Sequence, residues 1–178
     1  DTDFRATRGL DKMVIASLAS SEWARQHLNL IIVGATGVGK TWLACAFGTQ
    51  ACRQGLSVAF HRASDLYGDI ATAAYDGSLA KLKTALIKPA LLIIDDFGLG
   101  VMSMQEAQVL LDVVDRRMRT GALLITSQYP SNQWHSFFPD PTLGDAVLDR
   151  VVHQAHHITL KGESMRKINA TRKMRQQQ

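Results

Sequence analysis

The fold of this chain is decided by residues 29–41, which read N-L-I-I-V-G-A-T-G-V-G-K-T. The run Asn29–Val33 is apolar after its first residue and stops at a glycine, so it predicts a buried β-strand. The run Lys40–Gln54 has the character of a helix, and Gly55 stands where that helix would end. Residues 29–55 therefore predict a strand and a helix that are joined by a glycine-rich loop.

The predicted loop has the composition of a phosphate-binding loop. Its three glycines allow the backbone to approach several phosphate oxygens closely, and the N–H groups at the start of the next helix attract anions. Lys40 supplies a positive charge to the β- and γ-phosphates, and the hydroxyl of Thr41 completes the ligands of a Mg²⁺ ion. The alternative is a glycine-rich turn with a chance Lys-Thr pair. The pattern satisfies Walker A and predicts ATP binding by Gly34, Ala35, Thr36, Gly37, Val38, Gly39, Lys40, Thr41 and Trp42.

A second apolar run, Leu91–Ile94, ends at two carboxylates, Asp95 and Asp96. This is the Walker B pattern, in which an apolar strand delivers a carboxylate to the ligand edge of a sheet. We expect Asp95 to complete the Mg²⁺ site and Asp96 to polarise the attacking water. The alternative is an Asp-Asp turn that only closes a strand.

Strands and helices alternate along the rest of the chain. One helical stretch breaks near Gly77, Ser103 and Glu106 form a capping-box pattern, and Asp140 with Pro141 opens another helix. The segments that we expect to be strands are Asn29–Val33, Ser57–His61, Ala90–Asp95, Ala122–Thr126 and Ala155–Leu160. Apolar strands that alternate with helices predict an α/β fold with a five-stranded parallel sheet flanked by helices. Ligands of such folds bind beyond the carboxyl ends of the strands.

Composition limits the class of protein. The 178 residues are 46% hydrophobic and 20% charged, which is typical of one globular, soluble domain. No apolar run is long enough to span a bilayer and no signal peptide opens the chain, so we expect a cytoplasmic protein without a membrane partner. Because the chain begins at Asp1 without an initiator Met, we expect an excised domain of a longer protein that lacks its N-terminal region.

The positive charge is concentrated at the end of the chain, whose net charge is +4. Residues 161–178 carry six basic side chains against Glu163 alone, a local charge of +5 that leaves −1 for the rest. We therefore divide the chain into an ATPase core over residues 1–160 and a basic tail over residues 161–178. The tail is either a solvated surface or a site for nucleic acid.

Two groups of side chains could lie either in the core or at the surface. Cys45 and Cys52 lie seven positions apart in one predicted helix, where a disulfide cannot form, and we expect buried, reduced thiols. Trp134, Phe137 and Phe138 form either a partner patch or, as we expect, a loop that packs onto the core.

Beyond the two nucleotide motifs, the chain resembles the IstB-type ATPases, which are helper proteins of bacterial insertion-sequence transposition. These are close relatives of the DnaC-type helicase loaders in the AAA+ initiator clade. The resemblance covers nearly the whole chain, from Asp3 to Arg166. It rests on the Walker A motif and on L-L-I-I-D-D-F-G at 91–98, I-T-S-Q-Y-P at 125–130 with Trp134-His135, D-P-T-L-G-D-A-V-L-D-R at 140–150 and L-K-G-E-S-M-R at 160–166.

The resemblance implies roles for further residues. Ser127 lies at the sensor I position, with Gln128 as a rival for the same role. Arg150 matches the arginine finger, which acts on a neighbouring subunit, and Arg166 looks like a second nucleotide-sensing arginine. The alternative for Arg150 is a surface arginine without a role at the site. The alternative for Arg166 is an ordinary member of the basic tail. Relatives usually carry Glu at the second Walker B carboxylate, and Asp96 is one methylene shorter.

The resemblance also implies an activity and partners. It implies an AAA+ core that binds and hydrolyses ATP with Mg²⁺, assembles into a homo-oligomer on double-stranded DNA and activates a transposase. The alternatives are a loader of the replicative helicase, and a nucleotide-switched interaction module with negligible turnover. Only 18 residues follow Leu160, which is too few for a helical lid domain, so we expect a lidless core.

Overall fold

The structure, a computed structural model, describes residues 19–153 and 155–161. The strands are β1 (Asn29–Gly34), β2 (Val58–Arg62), β3 (Leu91–Asp95), β4 (Ala122–Ser127) and β5 (Ala155–Leu160). The helices are α1 (Glu22–Arg25), α2 (Lys40–Arg53), α3 (Ala63–Asp76), α4 (Leu79–Ile87), α5 (Met104–Arg117) and α6 (Pro141–Val152), with a 3₁₀ helix at Ser131–Phe137. Each predicted strand is present within two residues of its expected bounds. Among the described residues, no helix has the length and apolarity to cross a bilayer.

The five strands form one parallel sheet in the order β2-β3-β4-β1-β5. The predicted five-stranded parallel α/β fold is confirmed. Because all strands run in one direction, their carboxyl ends meet at one edge, and the loops after β1, β3 and β4 lie side by side there. Residues 162–178 lie outside the described part of the chain, so the lidless core and the basic tail stay predictions.

Helices cover both faces of the sheet. Alternate residues of a strand point to opposite faces, and β1 shows this clearly, since Leu30 and Ile32 pack with α1 and α2 whereas Ile31 packs with the other helices. Each face buries its own apolar cluster. The sheet is therefore buried on both sides, which explains why the middle positions of its central strands β1, β3 and β4 are apolar.

Local sequence signals determine where several helices begin and end. The side chain of Ser103 accepts the backbone N–H of Glu106 at 3.1 Å, and the reciprocal bond completes the predicted capping box of α5. Asp140 caps α6 through the N–H of Leu143 at 2.9 Å. Gly77 ends α3 with a φ of 81°, at the predicted helix break.

The aromatic segment after β4 belongs to the core, as expected. Trp134 is fully buried, and its Nε1–H donates to the Tyr129 carbonyl at 2.8 Å. Phe97 stacks edge-on against Trp134 and Phe137, with ring centroids 5.0 and 5.7 Å apart. The cluster thus supports the loop that follows Asp95 and Asp96.

The expectation of buried cysteines is wrong. Cys45 and Cys52 are free thiols, but both are exposed on α2. The buried face of α2 is formed by Leu43, Ala44, Phe47, Gly48 and Ala51, which leaves the face that carries both cysteines toward solvent. Their spacing placed them on one face of the helix, but it did not indicate which face.

Candidate nucleotide-binding site

The glycine-rich loop connects the carboxyl end of β1 to the first turn of α2. Gly37 and Gly39 have φ values of 84° and 102°, which L side chains rarely adopt. A Cβ on Gly34 would lie 2.9 Å from the Leu160 carbonyl oxygen of β5. Glycine is therefore required here both by the turn of the loop and by the close packing of the strands that carry it.

Lys40 begins α2 and turns its side chain back toward this loop. Its Nζ donates to the carbonyl oxygens of Gly34 at 2.6 Å and Ala35 at 3.0 Å. Burial lowers the pKa of Lys40, and the negative charges of Asp96 and Asp95 oppose that shift. The ammonium group is thus held at the loop, close to the two carboxylates of the second motif.

Asp95 is fully buried at the end of β3 and is held by two hydroxyl groups. The hydroxyl of Thr41 lies 2.9 and 3.1 Å from the two carboxylate oxygens of Asp95. The hydroxyl of Thr126, on β4, donates to Oδ1 of the same carboxylate. Carboxylate and hydroxyl oxygens are the donors that Mg²⁺ prefers, so the pair of Thr41 and Asp95 fits this ion.

Asp96 follows with an unusual backbone conformation. Its φ is 56°, a left-handed value that is uncommon outside glycine. Oδ2 of Asp96 lies 4.0 Å from Nε of Arg62, and both side chains are partly exposed. Sequence reasoning did not single out Arg62, although it ends β2 and pairs in register with Asp95. An arginine of the same chain therefore lies at the rim of the site.

Part of the glycine-rich loop, with Lys40, Thr41 and Asp96, lines a cleft of about 420 Å³ at the carboxyl edge of the sheet. Its walls come from the glycine-rich loop, the start of α2 and the loops after β3 and β4. The lining residues are Thr36, Gly37, Gly39, Lys40, Thr41, Trp42, Asp96, Phe97, Leu99 and Gln128. The cleft has the size of a small-molecule site. It brings together the Walker A residues and the second carboxylate of Walker B.

Ser127 does not face this cleft. Its side chain is fully buried, donates to the Phe97 carbonyl at 2.6 Å and accepts the N–H of Tyr129 at 3.1 Å. Gln128 does line the cleft, and its Oε1 accepts the hydroxyl of Thr36 at 3.0 Å. The Ser127 hydroxyl is thus engaged in holding the loop after β3. The choice between Ser127 and Gln128 for the sensor role stays a prediction.

Arg150 lies at the opposite edge of the sheet from the cleft. It lines a small cavity with Asn29, the first residue of β1, and with Gly121, which precedes β4. Its Nε donates to Asp115 of α5 at 2.8 Å, and its Nη1 donates to the Ala146 carbonyl at 2.8 Å. Arg150 thus packs against α5. It cannot join the cleft of its own chain.

The predicted nucleotide-sensing Arg166 lies outside the described residues. It therefore stays a prediction.

The sequence profile of one protein family matches residues 1–173, and its description is IstB-like ATP binding protein. The chain belongs to this family. The resemblance inferred from the motifs is confirmed. The family is described as ATP-binding, in agreement with a cleft that is lined by residues of the Walker A motif.

Relatives with curated names extend this result. The chain is 44% identical over 167 residues to the insertion-sequence ATP-binding protein y4pL of Sinorhizobium fredii, a match that spans 94% of this chain and 68% of that protein. It is 32% identical over 164 residues to the ATP-binding protein of insertion sequence IS21 from Pseudomonas aeruginosa, which spans 92% and 62%. The chain thus spans about two thirds of the length of such relatives.

Solved structures agree on the fold. The DnaC helicase loader superposes with a TM-score of 0.70 at 19% identity, over 84% of this chain and 87% of that one. DnaA of Aquifex aeolicus bound to AMPPCP superposes with a TM-score of 0.71 at 15% identity, over 92% and 50%. These neighbours agree with the α/β fold expected from the sequence, a parallel sheet flanked by helices.

Proposed function

We propose that this chain is the core of an ATPase that hydrolyses ATP in a Mg²⁺-dependent reaction. The observation that carries the proposal is the cleft at the carboxyl edge of the sheet, where Lys40 and Thr41 at the start of α2 meet Asp95 and Asp96 at the end of β3. Fixed positive charge, a hard-cation donor pair and a second carboxylate are the parts that phosphoryl transfer to water needs.

Each residue has a role that follows from its position. The backbone N–H groups of the loop and the ammonium group of Lys40 would hold the β- and γ-phosphates. Thr41 and Asp95 would hold Mg²⁺, which neutralises charge that develops on the phosphates. Asp96 would orient the attacking water, and Gln128, across the cleft from Thr36, would contact the γ-phosphate or that water.

A complete site needs a second copy of the chain. Arg150 lies at the amino edge of the sheet and the cleft lies at the carboxyl edge, so only a head-to-tail neighbour could bring the two together. An arginine supplied in this way stabilises charge in the transition state. We therefore propose a homo-oligomer in which Arg150 of one subunit completes the cleft of the next.

The biological role that we propose is that of a DNA-binding regulator that assembles on double-stranded DNA and activates or targets a transposase. The support is family membership together with relatives that are named as insertion-sequence proteins. A loader of the replicative helicase is the second candidate, favoured by the fold shared with DnaC. Both candidates place the protein in the cytoplasm, where ATP and the bacterial chromosome are found.

The test is ATP turnover over a range of protein concentrations, with and without double-stranded DNA. We expect turnover per subunit to be low in dilute protein and to rise with concentration and with duplex DNA, because both promote assembly. Stimulation by single-stranded DNA alone would favour the helicase-loader alternative. Tight ATP binding without turnover under any condition would support the nucleotide-switched interaction module and overturn the proposed ATPase.

A further inference from the structure

Thr126 lies in β4, within the motif at 125–130, but the sequence alone gives it no role. It is fully buried in the central part of the sheet, beside the end of β3. Its hydroxyl donates to Oδ1 of Asp95 and accepts the backbone N–H of Asp96 at 2.9 Å. Its own backbone carbonyl accepts the N–H of Phe97 at 2.8 Å. One residue thus contacts three successive residues of the second nucleotide motif.

These contacts control two different features of the site. The bond to Oδ1, together with the Thr41 hydroxyl of α2 that contacts both carboxylate oxygens, fixes the rotation of the Asp95 carboxylate. The bond from the Asp96 N–H, with the neighbouring bond from Phe97, holds the turn at which Asp96 takes its left-handed φ. One hydroxyl group therefore contributes to the direction of both carboxylates.

Packing alone does not account for this hydroxyl. Valine has the same branched shape and suits a buried strand at least as well. A hydroxyl in an apolar interior is unfavourable unless it is hydrogen-bonded, and here its bonds are to the two aspartates. The polar contacts are therefore the reason for a threonine at this place.

We propose that Thr126 is a positioning residue for Mg²⁺-dependent nucleotide binding, and this rests on the proposed function of the cleft. Thr126 holds Asp95 in the orientation in which its carboxylate and the Thr41 hydroxyl form one oxygen donor pair. It also fixes the turn that points Asp96 into the cleft. Groups that orient the ligands of a metal commonly change metal affinity or activity by about 10- to 100-fold when they are removed.

Three variants separate this role from a general loss of stability. Thr126→Val removes the hydroxyl and keeps the shape, while Thr126→Ser keeps the hydroxyl and removes a methyl group. Ser103→Ala removes the hydroxyl that caps α5, so it destabilises the fold without touching either aspartate. Thermal unfolding followed by circular dichroism shows that each variant is folded before binding is measured.

The first measurement is binding of a fluorescent ATP analogue during a Mg²⁺ titration. We expect Thr126→Val to raise the Mg²⁺ concentration for half-maximal binding by about 10-fold or more. Thr126→Ser and Ser103→Ala should stay close to the parent protein. An unchanged Mg²⁺ requirement in folded Thr126→Val, or the same change in Ser103→Ala, would overturn the proposal.

The second measurement needs no nucleotide and follows hydrogen exchange of the Asp96 backbone amide by NMR. We expect the amide to exchange about two- to tenfold faster in Thr126→Val than in Thr126→Ser, because it loses one hydrogen bond. If the parent protein binds no ATP analogue, the proposed function fails. The exchange rates still test whether the Thr126 hydroxyl holds the Asp96 turn. Equal rates in the two variants would overturn that role.

Discussion

Replacing Gly98 by alanine tests how tightly the loop after Asp95 and Asp96 is packed. Gly98 has a φ of 104°, and a Cβ there would lie 2.6 Å from Cε2 and 2.7 Å from Cζ of the Phe137 ring. The backbone conformation alone costs an L residue about 1–2 kcal/mol. Overpacking against a buried ring adds about 1–3 kcal/mol. We therefore expect Gly98→Ala to lower the free energy of unfolding by about 2–5 kcal/mol.

Two other glycines provide matched controls for the two contributions. Gly100 has a φ of 113°, but a Cβ there would meet nothing within 4 Å, so Gly100→Ala should cost only about 1–2 kcal/mol. Gly68 lies in α3 with open space and no positive φ, and Gly68→Ala should stabilise the protein by about 0.5–1 kcal/mol. The difference in the free energy of unfolding between Gly98→Ala and Gly100→Ala measures the contribution of the contact with Phe137.

The assay is urea denaturation of the three variants and the parent protein, followed by circular dichroism. Binding of a fluorescent ATP analogue should weaken in folded Gly98→Ala, because relief of the contact moves the loop that carries Asp96 and Phe97. If Gly98→Ala and Gly100→Ala unfold at the same urea concentration, the result would contradict the close contact between Gly98 and the Phe137 ring.

Three further predictions concern charge. Burial lowers the pKa of Lys40 below its ordinary 10.5, so ATP affinity should fall as the pH rises through that lowered value. The affinity of Lys40→Arg should not fall over the same pH range, because arginine keeps its charge. An equal fall in both proteins would contradict the assignment of Lys40 to phosphate binding. Mixing Arg150→Ala subunits with Asp96→Asn subunits should restore part of the lost turnover, since some interfaces pair an intact arginine with an intact cleft. No recovery at any ratio, with assembly intact, would rule out sharing between subunits. Affinity for double-stranded DNA should fall with salt with a log–log slope of about −4 to −5, and truncation after Gly162 should flatten it. An unchanged slope would move the DNA surface away from the tail, with nucleotide binding checked in parallel because Arg166 is also removed.

Much of the fold could be predicted because its signals are local. The apolar run Asn29–Val33, the capping box at Ser103 and the glycine at position 77 each act within a few residues, and each gave an element close to its observed bounds. The strand order could not be predicted in this way, because it depends on which helices cross which face of the sheet.

The same distinction between local and long-range signals applies to the site. Lys40, Thr41, Asp95 and Asp96 belong to contiguous motifs, and the structure brings them together in one region. The contacts of two residues from other strands could not be predicted from the sequence. Arg62 arrives only because β2 lies beside β3, and Thr126 only because β4 lies on the other side.

The cysteines and Ser127 show a second limit. Periodicity gave a shared face for Cys45 and Cys52, but only the packed helix shows that this face is exposed. The position of Ser127 in its motif suggested the sensor role. The direction of a side chain at the end of a strand, however, depends on where that strand ends. The next residue, Gln128, is the one that reaches the cleft.

The central claim is that the cleft between the glycine-rich loop and β3 binds ATP with Mg²⁺. The most direct measurement is binding of a fluorescent ATP analogue, with Mg²⁺ present, to the parent protein, Lys40→Ala and Lys81→Ala, in which the second change removes an exposed lysine of α4. A hydrogen bond to a charged group contributes about 1.5–3 kcal/mol, so Lys40→Ala should weaken binding by at least about 10-fold. Lys81→Ala should bind like the parent protein. Equal affinity of the parent protein and folded Lys40→Ala would contradict the account.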